Sequence, residues 1–565
     1  MNNQKTPRKS WLGPWLATLL ALPVLGATFG SMFFTEGEGA SLYFAIFTTA
    51  SILSLLFVLT RRLLFSSLFC AFIVFSVMLV SWLKRSQEDM VLHAWDFVYF
   101  LGSRDGWAEL AKLGPTRLAT GCAYLLLATA LLAVAWRIDW RMRWWPLGVP
   151  ALAAFGFIAA QAAMDRPERR HTQYFWNDLF LGDFYASFAE SIEAARRGGL
   201  IAAERRTPNK APFVPNPGCS LAQAPPHVIL IHEESMVQPT LFPELSYDKS
   251  ILPFFQSADG KIHKMRTETY GGASWISEFS VMTGVSSRGY GSMRNYVQVF
   301  TSGRLNLTLP QVMQGCGYRN VFFTPWPKVI MAAARFYESI GFSDIFDRTR
   351  QGNKIDNERD RFFFTNMLDE ISRHTKASAA PLFVFLETMS AHWPYDIIYE
   401  PGMDVPGGGP GTDPEMSEFL RRVAIARMDH DWLRAELQRR FPKERFLIVR
   451  YGDHQPVATR TLLGYPQEAE AEDVLLPDES VGFVTFYAVE GIGVPTPRLP
   501  DLDLLDVPYL GVVLLNGAGI PLPPSWQERA ELMRQCDGRY WSCKDRDAIL
   551  DFQARLVEAG EFRQH

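Results

Sequence analysis

The chain has 565 residues, enough for two to four domains and a large buried core. Its formal net charge is −4, with 56 Lys+Arg against 60 Asp+Glu, so no basic surplus points to a nucleic-acid partner. Hydrophobic residues make up 48% of it, and most of the apolar excess precedes residue 165, while the remainder reads as a soluble domain.

Five apolar runs come first: Trp11–Phe34, Leu42–Thr60, Leu63–Leu83, Leu118–Trp136 and Trp145–Met164. Each is near the roughly 20 residues a helix needs to cross the hydrocarbon core. Lys5, Arg8 and Lys9 precede the first run, as basic residues precede a signal peptide. That run is too long for one and four similar runs follow, so it reads as an uncleaved span. The same cations, with Arg61, Arg62, Arg137, Arg141 and Arg143, fall on one side of a five-span anchor. The first opposite loop carries Glu36 and Glu38 without Lys or Arg; Lys84 and Arg85 run against the scheme. The positive-inside rule places the N-terminus in the cytoplasm, and five spans leave the C-terminal part on the outer side of the membrane.

Between the third and fourth runs, residues 84–117 are rich in aromatics (Trp95, Phe97, Tyr99, Phe100 and Trp107), as in a segment lying along the interface. Tyr174–Arg197 repeats that character at helical spacing and suits either a helix on the bilayer or one packed on the following domain. Six prolines between Gly198 and Pro226 make an extended linker. The expected organisation is an anchor over 1–164, a juxtamembrane helix and linker over 165–226, and a domain over 227–565. Cys70 and Cys122 lie in predicted spans, whereas Cys219, Cys316, Cys536 and Cys543 fall in the exported part, where disulfides persist. Cys536 and Cys543 are close enough to pair across a loop, which leaves Cys219 and Cys316 to each other.

Beyond the linker, His227-Val-Ile-Leu-Ile-His-Glu-Glu-Ser reads as a buried strand ending in carboxylates. Similar runs recur at Asn320–Thr324, Leu382–Glu387, Phe446–Arg450 and Val481–Ala488. Helical segments, among them Leu309–Gln314, Asp360–His374 and Glu415–Phe441, alternate with them. This alternation predicts an α/β domain with a mainly parallel sheet, whose ligands gather at the carboxyl ends of the strands. Glu233-Glu234, His392 and Asp453-His454 all follow such strands. Taken singly, each reads as a solvated strand end or loop; together they point to a metal site, since Asp and His offer oxygen and nitrogen to one cation.

Within Thr267–Gly284, Gly271 and Gly272 are followed by Ser274 and then by Trp275, Phe279 and Met282 at helical spacing. A tight turn into a helix puts the Ser274 hydroxyl among unpaired N–H groups, a place suited to a phosphate. The same pattern also fits an ordinary Ser cap.

Three stretches resemble the sulfatase-like branch of the alkaline phosphatase superfamily: Ile-Leu-Ile-His-Glu-Glu-Ser-Met (229–236), Gly-Ala-Ser-Trp-Ile-Ser-Glu-Phe (272–279) and Tyr-Gly-Asp-His (451–454). Within it they resemble the membrane phosphoglycerol transferases of the lipoteichoic acid synthase and periplasmic glucan type. The resemblance implies an alkaline phosphatase-like fold and a metal held by Glu234, Ser274, Asp453 and His454. It also implies a covalent intermediate on Ser274, where the family usually has Thr, and an active-site His392 that moves protons. The cofactor it implies is one divalent ion, Mn2+, Mg2+ or Zn2+. The family's substrate-binding Trp and Arg align among Met331–Ala334, so Trp326, Lys328 and Arg335 become the substitutes. The expected partners are a phospholipid donor, a glycan or polymer acceptor and the membrane. Phosphoethanolamine transfer by the same mechanism is the nearer alternative. A sulfatase hydrolase fits less well, because neither Pro nor Arg follows Ser274 in the Cys/Ser-x-Pro-Ser-Arg pattern.

Overall fold

The computed structural model describes residues 12–88, 91–97, 114–166, 179–197, 206–214, 218–221, 224–327, 333–355, 358–403, 413–469, 471–495 and 497–563. The chain divides into two compact units, Met1–Glu193 and Ala194–His565.

The first unit is helical: α1 (Leu12–Met32), α2 (Gly39–Thr60), α3 (Leu63–Glu88), α4 (Gly114–Ile138), α5 (Gly148–Asp165) and α6 (Phe180–Arg197). Among the described residues, four helices are long and apolar enough to cross a membrane, in the regions of α2, α3, α4 and α5. The expectation of five spans is therefore met for four. Described side chains begin within α1, and the apolar stretch there, Thr18–Met32, is shorter than a span. α2 packs chiefly on α5, where Gly148 allows close approach: a Cβ there would lie 2.7 Å from Val58 Cγ2. Lys84, which ran against the charge scheme, is buried with Asp96 at 2.9 Å and is not a free interfacial cation. Of the aromatic stretches, Tyr174 to Trp176, Tyr99, Phe100 and Trp107 lie outside the described residues.

The second unit is built on one eight-stranded sheet: β1 (His227–Glu233), β2 (His263–Arg266), β3 (Arg319–Phe323), β4 (Asp344–Phe346), β5 (Leu382–Glu387), β6 (Phe446–Gly452), β7 (Val484–Ile492) and β8 (Leu505–Asp506). The order is β4-β3-β5-β1-β6-β7-β2-β8. The first five strands run parallel, as expected, but β7 is antiparallel to both β6 and β2, so the sheet is mixed. The predicted strand at Val481 starts later, because Val481–Phe483 forms a 3-10 turn. Four helices matter below: α7 (Ser274–Thr283), α8 (Leu309–Gly315), α9 (Asp360–Ala377) and α10 (Pro414–Arg440).

Every residue of β1, β5 and β6 is buried, as expected of central strands covered on both faces. Alternation then sorts their side chains. Ile229, Ile231, Val384, Leu386 and Ile448 join a core with Phe363 and Met367 of α9 and Leu433 and Leu437 of α10. The opposite face carries His232, Phe385 and Tyr451, whose rings pack together. Both expected disulfides are present, Cys219–Cys316 and Cys536–Cys543. Cys70 and Cys122 are free.

Candidate active site

The neighbouring parallel strands β5, β1 and β6 end side by side, and the chain leaving each carries one polar set: His392, Glu234 and Asp453-His454. Glu233 and Glu234 part company there, because successive side chains on a strand face opposite ways. Glu233 turns to Arg450, 3.4 Å away, while Glu234 turns to the site. Burial raises the Glu233 carboxyl above the usual carboxylate range, against the pull of Arg450.

Ser274 arrives from the other direction. Gly271 and Ala273 both have positive φ, 72° and 63°, so the backbone turns sharply into α7 and leaves Ser274 as its first residue. Gly271 is needed for space as well, since a Cβ there would come 2.9 Å from Ala471. Ala273 has no such freedom, and its left-handed conformation stores strain beside a reactive hydroxyl. The helix is tied to β6 by Ser277, whose hydroxyl donates to the Asp453 carbonyl at 2.7 Å.

The four residues expected to share a cation come together. Ser274 Oγ donates to Glu234 Oε2 at 3.0 Å and lies 3.5 Å from His454 Nε2. His454 Nε2 is 3.4 Å from Glu234 Oε1 and 3.2 Å from Asp453 Oδ2. Each carboxylate is anchored by one oxygen: the Ser235 hydroxyl donates to Glu234 Oε1, and the Ser235 N–H to Asp453 Oδ1, both at 2.8 Å. Asp453 Oδ2 is thereby left buried without a hydrogen bond. An orphaned carboxylate oxygen among close N and O donors fits a divalent cation. Burial works against the His454 imidazolium, yet Asp453 and Glu234 outweigh it and push its pKa up to about 9. Burial would raise Glu234, but the imidazoles of His232 and His454 beside it hold it well below the usual range.

His392 is half-buried and close enough for its charge to act on Glu234. Its ring lies against Trp326, with centroids 5.5 Å apart, and its Nδ1 is buried without a hydrogen bond. Arg335 is exposed on the helix Ala333–Ser339, while Lys328 lies outside the described residues.

Sequence reasoning passed over two groups. His232, fully buried on β1, points its Nε2 at Asp453 Oδ2 (3.1 Å) and Glu234 Oε2 (3.6 Å). Its signal was spacing, because a residue two before Glu234 shares its strand face. Glu278, one helical turn beyond Ser274, lies 3.6 Å from His232 Nδ1 and accepts a short bond from the Tyr337 hydroxyl. It is paired with Glu387, to which Thr324 donates at 2.6 Å. Burial pushes both carboxyls up, and Glu278 pushes Glu387 further.

The sulfatase family model matches residues 226–477. A Haemophilus influenzae protein is 23% identical over 353 residues, 60% of this chain and 62% of that protein. A Rhizobium meliloti protein named for cyclic beta-1,2-glucan modification is 25% identical over 258 residues, 44% of this chain and 38% of its own. The chain thus spans less than two thirds of both relatives. Among solved structures, the Streptococcus pyogenes phosphoglycerol transferase GacH in complex with sn-glycerol-1-phosphate superposes with a TM-score of 0.47 at 16% identity, over 60% of this chain and 90% of that one. Residues 226–477 are thus similar to the sulfatase family.

Proposed function

We propose that this chain is a multi-pass membrane phosphotransferase that moves a phosphoglycerol headgroup from a phospholipid to an envelope glycan or polymer through Ser274. The observation that carries the reading is the Ser274 hydroxyl at the first turn of α7, 3.0 Å from Glu234 and 3.5 Å from His454. A divalent cation (Mn2+, Mg2+ or Zn2+) held by Glu234, Asp453, His454 and the Ser274 oxygen would neutralise phosphate charge and favour the ionised serine.

In the first half-reaction Ser274 Oγ bonds to phosphorus as the bond from phosphorus to the lipid alcohol oxygen breaks. The serine reacts as the ionised oxygen, its proton already released to water, and is regenerated ionised at the end of the cycle; the departing oxygen takes a proton from His392. In the second, the acceptor oxygen bonds to phosphorus, the phosphorus–Oγ bond breaks, and His392 takes up the acceptor's proton. The N–H groups opening α7 favour the negative charge that builds on the phosphoryl oxygens. Trp326, packed on His392, would meet the headgroup, with Lys328 and Arg335 supplying charge. The anchor over 1–164, joined through 165–226 to the domain over 227–565, keeps the site on the periplasmic side beside its lipid donor. The glucan-related name of the Rhizobium meliloti relative agrees with a glycan acceptor.

The test is to incubate the purified chain with vesicles of phosphatidylglycerol or of phosphatidylethanolamine and weigh the peptide containing Ser274. A phosphoglycerol adduct from the first supports the reading, and a phosphoethanolamine adduct replaces the headgroup. Headgroup release without an adduct, undiminished in Ser274→Ala, overturns it.

A further inference from the structure

The four residues tied to the cation leave one buried imidazole nitrogen aimed at the same place. His232 Nε2 and Asp453 Oδ2 face each other at 3.1 Å, yet each is a buried atom without a hydrogen bond. Donors about 2.1 Å from one ion stand about 3.0 Å apart at right angles and about 3.4 Å apart at tetrahedral angles. Three neighbouring donor distances fall in that range, 3.0 Å for Ser274–Glu234, 3.2 Å for His454–Asp453 and 3.1 Å for His232–Asp453, and His232–Glu234 lies just beyond it at 3.6 Å. His232 thus stands to the two carboxylates as His454 does.

The outer nitrogens of the two rings are matched as well. His454 Nδ1 lies 2.9 Å from the Gln455 carbonyl, which only accepts, so Nδ1 keeps its proton and Nε2 is the nitrogen left to turn its lone pair to an ion. His232 Nδ1 lies 2.9 Å from the Tyr451 hydroxyl and 3.6 Å from Glu278 Oε1. An oxygen partner on the far nitrogen is the arrangement that orients a metal-bound histidine.

We infer that His232 is a further metal ligand, giving the centre two imidazoles, two carboxylates and the Ser274 hydroxyl. This inference rests on the proposed metal centre and deepens it by adding a donor and narrowing the ion. Two imidazole nitrogens move the preference away from Mg2+ and Ca2+, which favour all-oxygen shells, toward Mn2+ or Zn2+.

The experiment uses the full chain stripped with chelator, reloaded with Mn2+ alone and studied by pulsed electron paramagnetic resonance with 15N-labelled histidine. Couplings from two nitrogens are expected, falling to one in His232→Ala and to one in His454→Ala. Mn2+ affinity measured by calorimetry should fall by on the order of 100-fold or more in His232→Ala. The labelled wild-type protein counts the nitrogens even if a variant fails to fold. One nitrogen in the wild type, lost only in His454→Ala, overturns the inference and leaves the metal centre standing. No Mn2+ binding at all overturns both. Displacement of Mn2+ by an equal concentration of Mg2+ counts against the two-imidazole shell.

Discussion

The Ser274 hydroxyl donates to Glu234 Oε2 at 3.0 Å, joining the first turn of α7 to the end of β1. The bond holds the hydroxyl beside the donors that follow β6, 3.5 Å from His454 Nε2. Ser274→Ala should therefore cut headgroup release from phospholipid vesicles by on the order of 1,000-fold or more. Metal affinity should fall far less, because Glu234, Asp453 and His454 remain. Turnover within tenfold of the wild type would reject Ser274 as the nucleophile.

Gly452, the residue before Asp453, sets where that carboxylate stands. A Cβ at Gly452 would meet the Met236 carbonyl oxygen at 2.0 Å and Thr485 Cβ at 3.2 Å. Backbone on one side and a β-branched side chain on the other leave nothing to move aside. Gly452→Ala should cost about 2 to 3 kcal/mol of stability by overpacking, and it should weaken metal binding by displacing Asp453. Thermal unfolding and metal calorimetry measure the two effects; an unchanged melting temperature would show that β6 has slack.

How far the sequence discloses this site depends on how each donor is presented. β1, β5 and β6 are long apolar runs, and the carboxylates and histidines just past their ends stand out against them. β2, β4 and β8 span four, three and two residues, too short for any periodicity to show, and the antiparallel turn of β7 depends on neighbours that local pattern does not specify. His232 escaped notice because a lone histidine inside an apolar strand usually reads as core; only the fold sets it against Asp453. Lys84 misled for the converse reason, since its partner Asp96 lies in a stretch without helical or strand periodicity.

The two disulfides differ in what they restrain. Cys219–Cys316 closes 97 residues and Cys536–Cys543 only 7. On the chain-entropy account the long loop contributes about 4 to 5 kcal/mol and the short one about 2. The double Cys→Ser variant at 219 and 316 should accordingly lower stability about twice as much as that at 536 and 543. Denaturant titration under matched conditions decides this; equal losses would mean that native packing dominates at these bridges.

Glu490 supplies an acid-sensitive contact. Burial alone would raise its pKa, but His430 at 2.5 Å, with Arg450 and Arg434, draws it down to about 2. A carboxyl depressed from about 4.5 in the unfolded chain stabilises the fold fully above that pH and loses the contribution as pH falls toward 2. The shift corresponds to about 3 kcal/mol. The stability gap between the wild type and Glu490→Gln should be widest above pH 5 and close between pH 4.5 and 2. A gap that stays constant over that interval would assign the loss to packing.

His392 offers a separable test of proton transfer. Its ring is held against Trp326, and its charge acts on Glu234. His392→Ala should lower kcat by roughly 100- to 10,000-fold, the usual scale for losing a positioned acid or base. One limb of the pH–rate profile should disappear with it, while Mn2+ affinity stays within a few-fold of the wild type. A leaving group with a much lower pKa than a lipid alcohol needs no proton, so an aryl phosphodiester should recover most of the loss in the first half-reaction. Equal defects on both substrates, together with weakened metal binding, would place His392 among the metal's ligands and leave the proton to another group.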